Sequence, residues 1–199
     1  DIARVAGIDP DQCEDDYVAC RGALQAVEGI ADEARLATVS ELWVASALAL
    51  SPESTMSKPV ALPEPALQAW LEAARHAYAY LFFSGRTPAQ RAFEDRQTQV
   101  RDYYNYAAEK VASAVFERGR ARALEGQDGN FSVRTGDWTL EADLDGLRLS
   151  GVPTQLVAAS SVRFAGLRST YRRDGFGAEL VMVMDPPTLV PPTAEQNAG

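Results

Sequence analysis

The chain has 199 residues, 46% of them hydrophobic and 24% charged, with a formal net charge of −9. That length holds one well-cored domain with or without a tail, and the composition is that of a globular rather than a disordered chain. The acidic balance argues against a nucleic-acid partner, which needs a basic face to displace counterions from phosphates.

The charge is unevenly spread. Residues 1–64 hold 4 basic and 12 acidic side chains, residues 65–124 hold 9 and 6, and residues 125–199 hold 6 and 10. A mildly basic middle between acidic ends fits segments that complement one another inside one fold; solvated faces would give the same distribution. No apolar run reaches the roughly 18 residues that a membrane-spanning helix needs.

Residues 1–14 read as an acidic lead-in. Asp9, Asp11, Glu14, Asp15 and Asp16 bring carboxylates close together, which invites a calcium reading. Their spacing does not match an EF-hand loop and the required glycine is missing. A solvated run that favours a helix N-terminus is the simpler reading, so neither a metal nor a cofactor is expected. Cys13 and Cys20 are seven apart. On one continuous helix, at about 1.5 Å per residue, their Cα atoms would lie roughly 10 Å apart, too far for a bridge. A disulfide therefore requires a break between them and would point to an oxidising compartment. Two unpaired buried thiols are the alternative. The pair has no nearby histidine and makes a poor zinc site.

Helical patterns follow. Residues 15–29 carry Tyr17, Val18, Leu24 and Val27, with Gly29 as a breaker. Residues 31–50 place Leu36, Val39, Leu42, Trp43, Ala47 and Leu50 close to a 3.6-residue period, and Ser51-Pro52 ends the run. Residues 51–65 hold four prolines and read as a surface loop. Residues 64–83 begin a helix with Pro65 in the first turn and run through Leu67, Trp70, Leu71, Ala74, Tyr78 and Leu81 to Ser84-Gly85.

The longest pattern spans residues 87–125. Thr87, Pro88 and Gln90 make a capping box with proline at the first position. Phe93, Val100, Tyr104, Ala107, Val111 and Val115 fall within about 40° of one another around the axis. Ala112, Phe116 and Tyr106 lie on the far side. A helix apolar on two sides is packed from two sides, so this one is expected at the centre. Arg86, Arg91, Arg96 and Arg101 each turn about 140° from the last. They spiral rather than form a stripe, and Glu94, Asp95 and Asp102 are local partners.

From Gly126 onward the period becomes two. Residues 131–135, 138–144 and 147–149 read as an antiparallel meander turning at Gly136-Asp137 and Asp145-Gly146. Residues 162–171 and 176–184 flank the hairpin signal Asp174-Gly175. Residues 186–199 form a Pro-rich linker or tail. The expected fold is α+β: an N-terminal helical layer around one long central helix, followed by a small antiparallel β-sheet. One domain covers 15–185, helical over 15–124 and β-rich over 130–184.

Catalytic chemistry finds little support. There is no G-x-S-x-G and only one histidine, His76, placed on a helix. Glu141 and Asp143 share a strand face but alternate with the apolar set, as a wet face does. Gly175-Phe176-Gly177 lacks the rest of a dinucleotide fingerprint. No catalytic residue is assigned. The run Tyr103-Tyr104-Asn105-Tyr106 suits either core packing or a ligand or partner platform. Tyr103, Tyr106, Tyr171, Arg172, Arg173 and Phe176 are the candidate partner or interdomain contacts.

Two blocks, EDRQTQVRDYYNYA at 94–107 and RFAGLRSTYRRDGFGAELV at 163–181, resemble the N-terminal region of large proteobacterial α/β-hydrolase proteins of the esterase/lipase type, often envelope lipoproteins. The resemblance extends over residues 15–185. It implies a hydrolase domain with a serine elbow C-terminal to this region, so that no catalytic residue carries over onto this chain. The implied role is a non-catalytic accessory domain whose partner is the C-terminal hydrolase domain of the same gene product. The implied location is the periplasm or outer membrane after removal of a signal peptide, with membrane contact only through an N-terminal lipid anchor. The alternative is a periplasmic binding or adaptor module acting through the tyrosine-rich helix or the Arg172-Arg173 hairpin.

Overall fold

Four helices precede four strands in the computed structural model, which describes residues 8, 13, 16–53, 60–85, 95–127, 129–143, 152–158 and 177–185. The helices are α1 (Tyr17–Ala26), α2 (Asp32–Leu50), α3 (Glu64–Phe83) and α4 (Asp95–Leu124). The α+β class with a helical N-terminal part follows the sequence expectation. Among the described residues no helix is long and apolar enough to cross a membrane.

Three of the helices end on identifiable local contacts. Asp16 caps α1, its carboxylate accepting from the backbone N–H of Val18 at 3.0 Å and of Ala19 at 2.9 Å. At the other end Arg35 of α2 donates to the carbonyls of Leu24, Gln25 and Val27. It thereby satisfies acceptors that the last turn leaves open. This helix stops before Gly29 because Val27 is already extended. Ser51 is extended ahead of Pro52 and ends α2, its hydroxyl donating to Ala47 O at 2.6 Å. Helix α4 closes in a Schellman motif. Gln127 N donates to Arg122 O at 3.0 Å and Gly126 N to Ala123 O at 3.1 Å, with Gly126 at φ +73°. The expected N-terminal cap of this helix, at Thr87, Pro88 and Gln90, lies outside the described residues.

The deepest burial falls on α3. Ala66, Leu67, Ala69, Trp70, Leu71, Ala73, Ala77, Tyr80 and Leu81 are all buried, and the four alanines let neighbours close in on several sides. Val44 and Ala47 of α2 and Ala107 of α4 meet Trp70 in one cluster. Ala37, Tyr80, Leu81 and Val100 form a second. Leu67, Leu71 and Ala114 form a third, against Val133, Trp138 and Leu140 of the first hairpin.

Helix α4 meets α3 along Val100, Ala107 and Ala114, one residue every seven, with Tyr104 and Val111 partly buried beside them. The expected stripe thus holds at Val100, Tyr104, Ala107 and Val111 and moves from Val115 to Ala114 at its end, while its first member, Phe93, lies outside the described residues. The long helix also has a second packed side. Ser113 Oγ reaches Leu156 O at 3.5 Å, and Asn105 Oδ1 accepts from Gly177 N at 2.8 Å.

The strands form two two-stranded antiparallel sheets among the described residues rather than one. β1 (Asn130–Thr135) pairs with β2 (Trp138–Asp143), and β3 (Val152–Ala158) pairs with β4 (Leu180–Asp185). The first pair turns through Gly136, whose φ of +54° suits glycine at the first position of a two-residue turn. Trp138, Leu140 and Ala142 point inward, while Thr139, Glu141 and Asp143 are exposed, so the paired carboxylates lie on the wet face. β3 falls where no strand was expected. Pro153 interrupts its pattern and sits beside a register shift between Pro153 and Gln155, a bulge position that tolerates proline. The expected strands 147–149 and 162–171, the Asp174-Gly175 turn and the tail 186–199 lie outside the described residues.

Candidate functional site

Each residue of the tyrosine run on α4 meets a different partner. Tyr103 accepts from Gln99 Nε2 at 2.7 Å. Burial pushes its pKa up to about 12, assisted by the charge of Glu41 and a hydrogen bond to that carboxylate. Tyr104 lies 5.9 Å from Tyr78, ring to ring. Asn105 takes the Gly177 N–H. Tyr106 stands edge-on to Trp70, with centroids 5.1 Å apart and planes at 84°. Of the residues expected on the far side of the helix, Phe116 is buried, whereas Tyr106 is 37% exposed, with Lys110 Nζ 4.9 Å from its ring.

Two surfaces near this run are open. An open depression of about 460 Å³ is lined by Asp95, Thr98, Gln99, Asp102 and Tyr103 on one face of α4. At the end of α3, Tyr78 packs 4.5 Å from Phe82 and 5.8 Å from Phe83, and Phe83 is 77% exposed. Tyr171, Arg172, Arg173 and Phe176 lie outside the described residues.

A charged cluster on α3 links three elements. Glu72 Oε1 accepts from Trp138 Nε1 at 2.9 Å, and Oε2 takes Arg75 Nε at 2.9 Å and Nη2 at 2.6 Å. His76 Nδ1 lies 2.8 Å from Glu72 O, so that ring nitrogen donates to the helix carbonyl. Burial lowers the His76 pKa, and the charges of Arg75 and Arg21 act in the same sense. His76 is therefore neutral at pH 7, and its 3.7 Å approach to Glu72 Oε2 is not an ion pair there. From α1, the Arg21 guanidinium lies 3.5 Å from the centroid of the Trp43 ring. Arg21 is only 8% exposed and its Nη1 has no hydrogen-bond partner. Burial lowers its pKa, while Asp16 and Glu72 oppose that shift.

This cluster ties α3 to the first hairpin through Glu72 and Trp138. Among the described residues no serine, threonine or cysteine is hydrogen-bonded to His76, and no group of three metal-binding side chains converges. Sequence reasoning weighed His76 alone and missed the hub at Glu72. The i, i+3 and i+4 spacing of Glu72, Arg75 and His76 was a visible signal, whereas the contact to Trp138, 66 residues away, was not.

Cys13 and Cys20 are joined, with Cα atoms 5.5 Å apart. The chain break that such a bridge requires falls at Asp16, which is non-helical at φ −148° and ψ 83°. Compared with family models, with curated proteins and with solved structures, the chain finds no match in any of the three.

Proposed function

We propose that this chain is a non-catalytic accessory domain of a larger envelope serine hydrolase, whose ester- or lipid-cleaving residues lie in the C-terminal domain of the same gene product. The observation that carries the reading is the pair of sequence blocks at 94–107 and 163–181. The buried disulfide supports it, because such bridges persist in oxidising compartments. The reading frame that carries this chain tests it. A G-x-S-x-G between a strand and a helix beyond Gly199 is expected; a complete gene product without one would overturn the reading.

A periplasmic binding or adaptor role is the second reading, favoured by the exposed rings of Tyr78, Phe82 and Phe83 beside the tyrosine-bearing helix. Under it a partner is recovered with the chain in the absence of any hydrolase domain, and Arg173→Glu weakens that recovery.

A further inference from the structure

Helix α1 is attached differently from the other helices. None of its residues belongs to the three apolar clusters built on α3, and its buried side chains are Cys20, Arg21 and Leu24. At its N-terminus it is held by the Cys13–Cys20 bridge and the Asp16 cap. Along its flank Arg21 lies over Trp43, and at its C-terminus Arg35 gathers three carbonyls. With 10 residues, it is shorter than the roughly 12–15 that let an isolated helix persist in water. Its flank contact also carries a cost, since buried Arg21 Nη1 makes no hydrogen bond and would find one in water.

We propose that the Cys13–Cys20 disulfide is a redox latch on α1. Oxidised, it holds α1 over Trp43; reduced, α1 frays and uncovers the Trp43 face while α2, α3 and α4 stay folded. The reductant is a dithiol. Both cysteines are buried, so the reductant reaches them as α1 opens locally: its thiolate attacks one sulfur of the bridge, the S–S bond breaks and a mixed disulfide forms. Its second thiol then closes the reductant's own disulfide, leaving Cys13 and Cys20 as two thiols after transfer of two electrons and two protons. Asp16 lies between the two cysteines, so losing the bridge also frees the capping residue, whose charge acts on Arg21. Both ties at the N-terminus are lost together. The clusters around Trp70 and Tyr80 contain no α1 residue and are left intact.

Hydrogen exchange followed by mass spectrometry on the full chain, with and without dithiothreitol, tests this. Alkylation confirms reduction by adding two labels. On reduction the amides of residues 17–26 are expected to exchange at least about tenfold faster, while those of α3 keep their protection. The Cys13→Ser/Cys20→Ser double variant should show the same pattern without reductant. The latch is overturned if α1 stays protected after both cysteines are labelled, or if α3 loses protection in parallel with α1.

Discussion

The indole N–H of Trp138 donates to Glu72 Oε1 at 2.9 Å, joining the tip of the first hairpin to the most buried helix of the fold. Beside it Thr135, fully buried, donates to Glu64 O at 3.2 Å, so β1–β2 is pinned to α3 by two polar contacts and by Val133 and Leu140. A hydrogen bond to a charged acceptor contributes about 1.5–3 kcal/mol. Trp138→Phe, which keeps the ring and removes the donor, is expected to lower stability to urea by about 1–3 kcal/mol. In a double-mutant cycle with Glu72→Ala the losses should be less than additive. Additive losses would mean that the two side chains act separately.

Acid should loosen the same region. The folded pKa of His76 lies below its ordinary value because of burial first, then the nearby Arg75 and Arg21 charges. Glu72, Arg75 and Arg21 are the charged groups facing it. A lowered histidine pKa gives stability that is complete above the unfolded value of about 6.5 and is lost as pH falls below it. The melting temperature of the wild type should therefore fall more steeply than that of His76→Gln between pH 7 and pH 5.

Glu109 works in the opposite sense. Burial raises its pKa and the neighbouring Lys110 only partly offsets that, with Lys110 Nζ 3.9 Å from its carboxylate. A carboxyl that takes its proton more readily when folded costs stability at pH values where it is ionised. Glu109→Gln is expected to raise the melting temperature at pH 7, and the gap should close as the buffer is taken to acid pH.

The core prediction rests on Trp70. It has no exposed surface, and its Nε1 donates to Ser51 Oγ at 3.2 Å. Truncating a fully buried aromatic costs about 3–5 kcal/mol, so Trp70→Ala should lower the unfolding free energy by that amount. Ser51→Ala, which removes the acceptor for the Trp70 indole and the hydroxyl's own bond to Ala47 O, should cost about 1–3 kcal/mol. Urea titrations of the two variants side by side check the ranking.

The helices were legible because their signals are local. Pro65 in a first turn, Ser51-Pro52 at an end and the 3.6-residue spacing of Leu67, Trp70, Leu71 and Ala74 act over a few residues. The same holds for β1 and β2, whose alternation and Gly136-Asp137 turn are contiguous. β3 was missed because Pro153 breaks its pattern and its partner β4 lies more than twenty residues on. The prominence of α3 over α4 was hidden as well. Alanines mark close approach only when the neighbouring helix is known, and the longer α4 carries the more conspicuous aromatics. At the candidate site the tyrosine run was visible, yet the direction of each ring depends on partners such as Trp70, Tyr78 and Glu41 that lie on other helices.

Hydrolysis of short-chain p-nitrophenyl esters by the purified chain tests the accessory reading most directly. No turnover above buffer is expected, with or without a serine-directed inhibitor. Turnover that the inhibitor abolishes would contradict it.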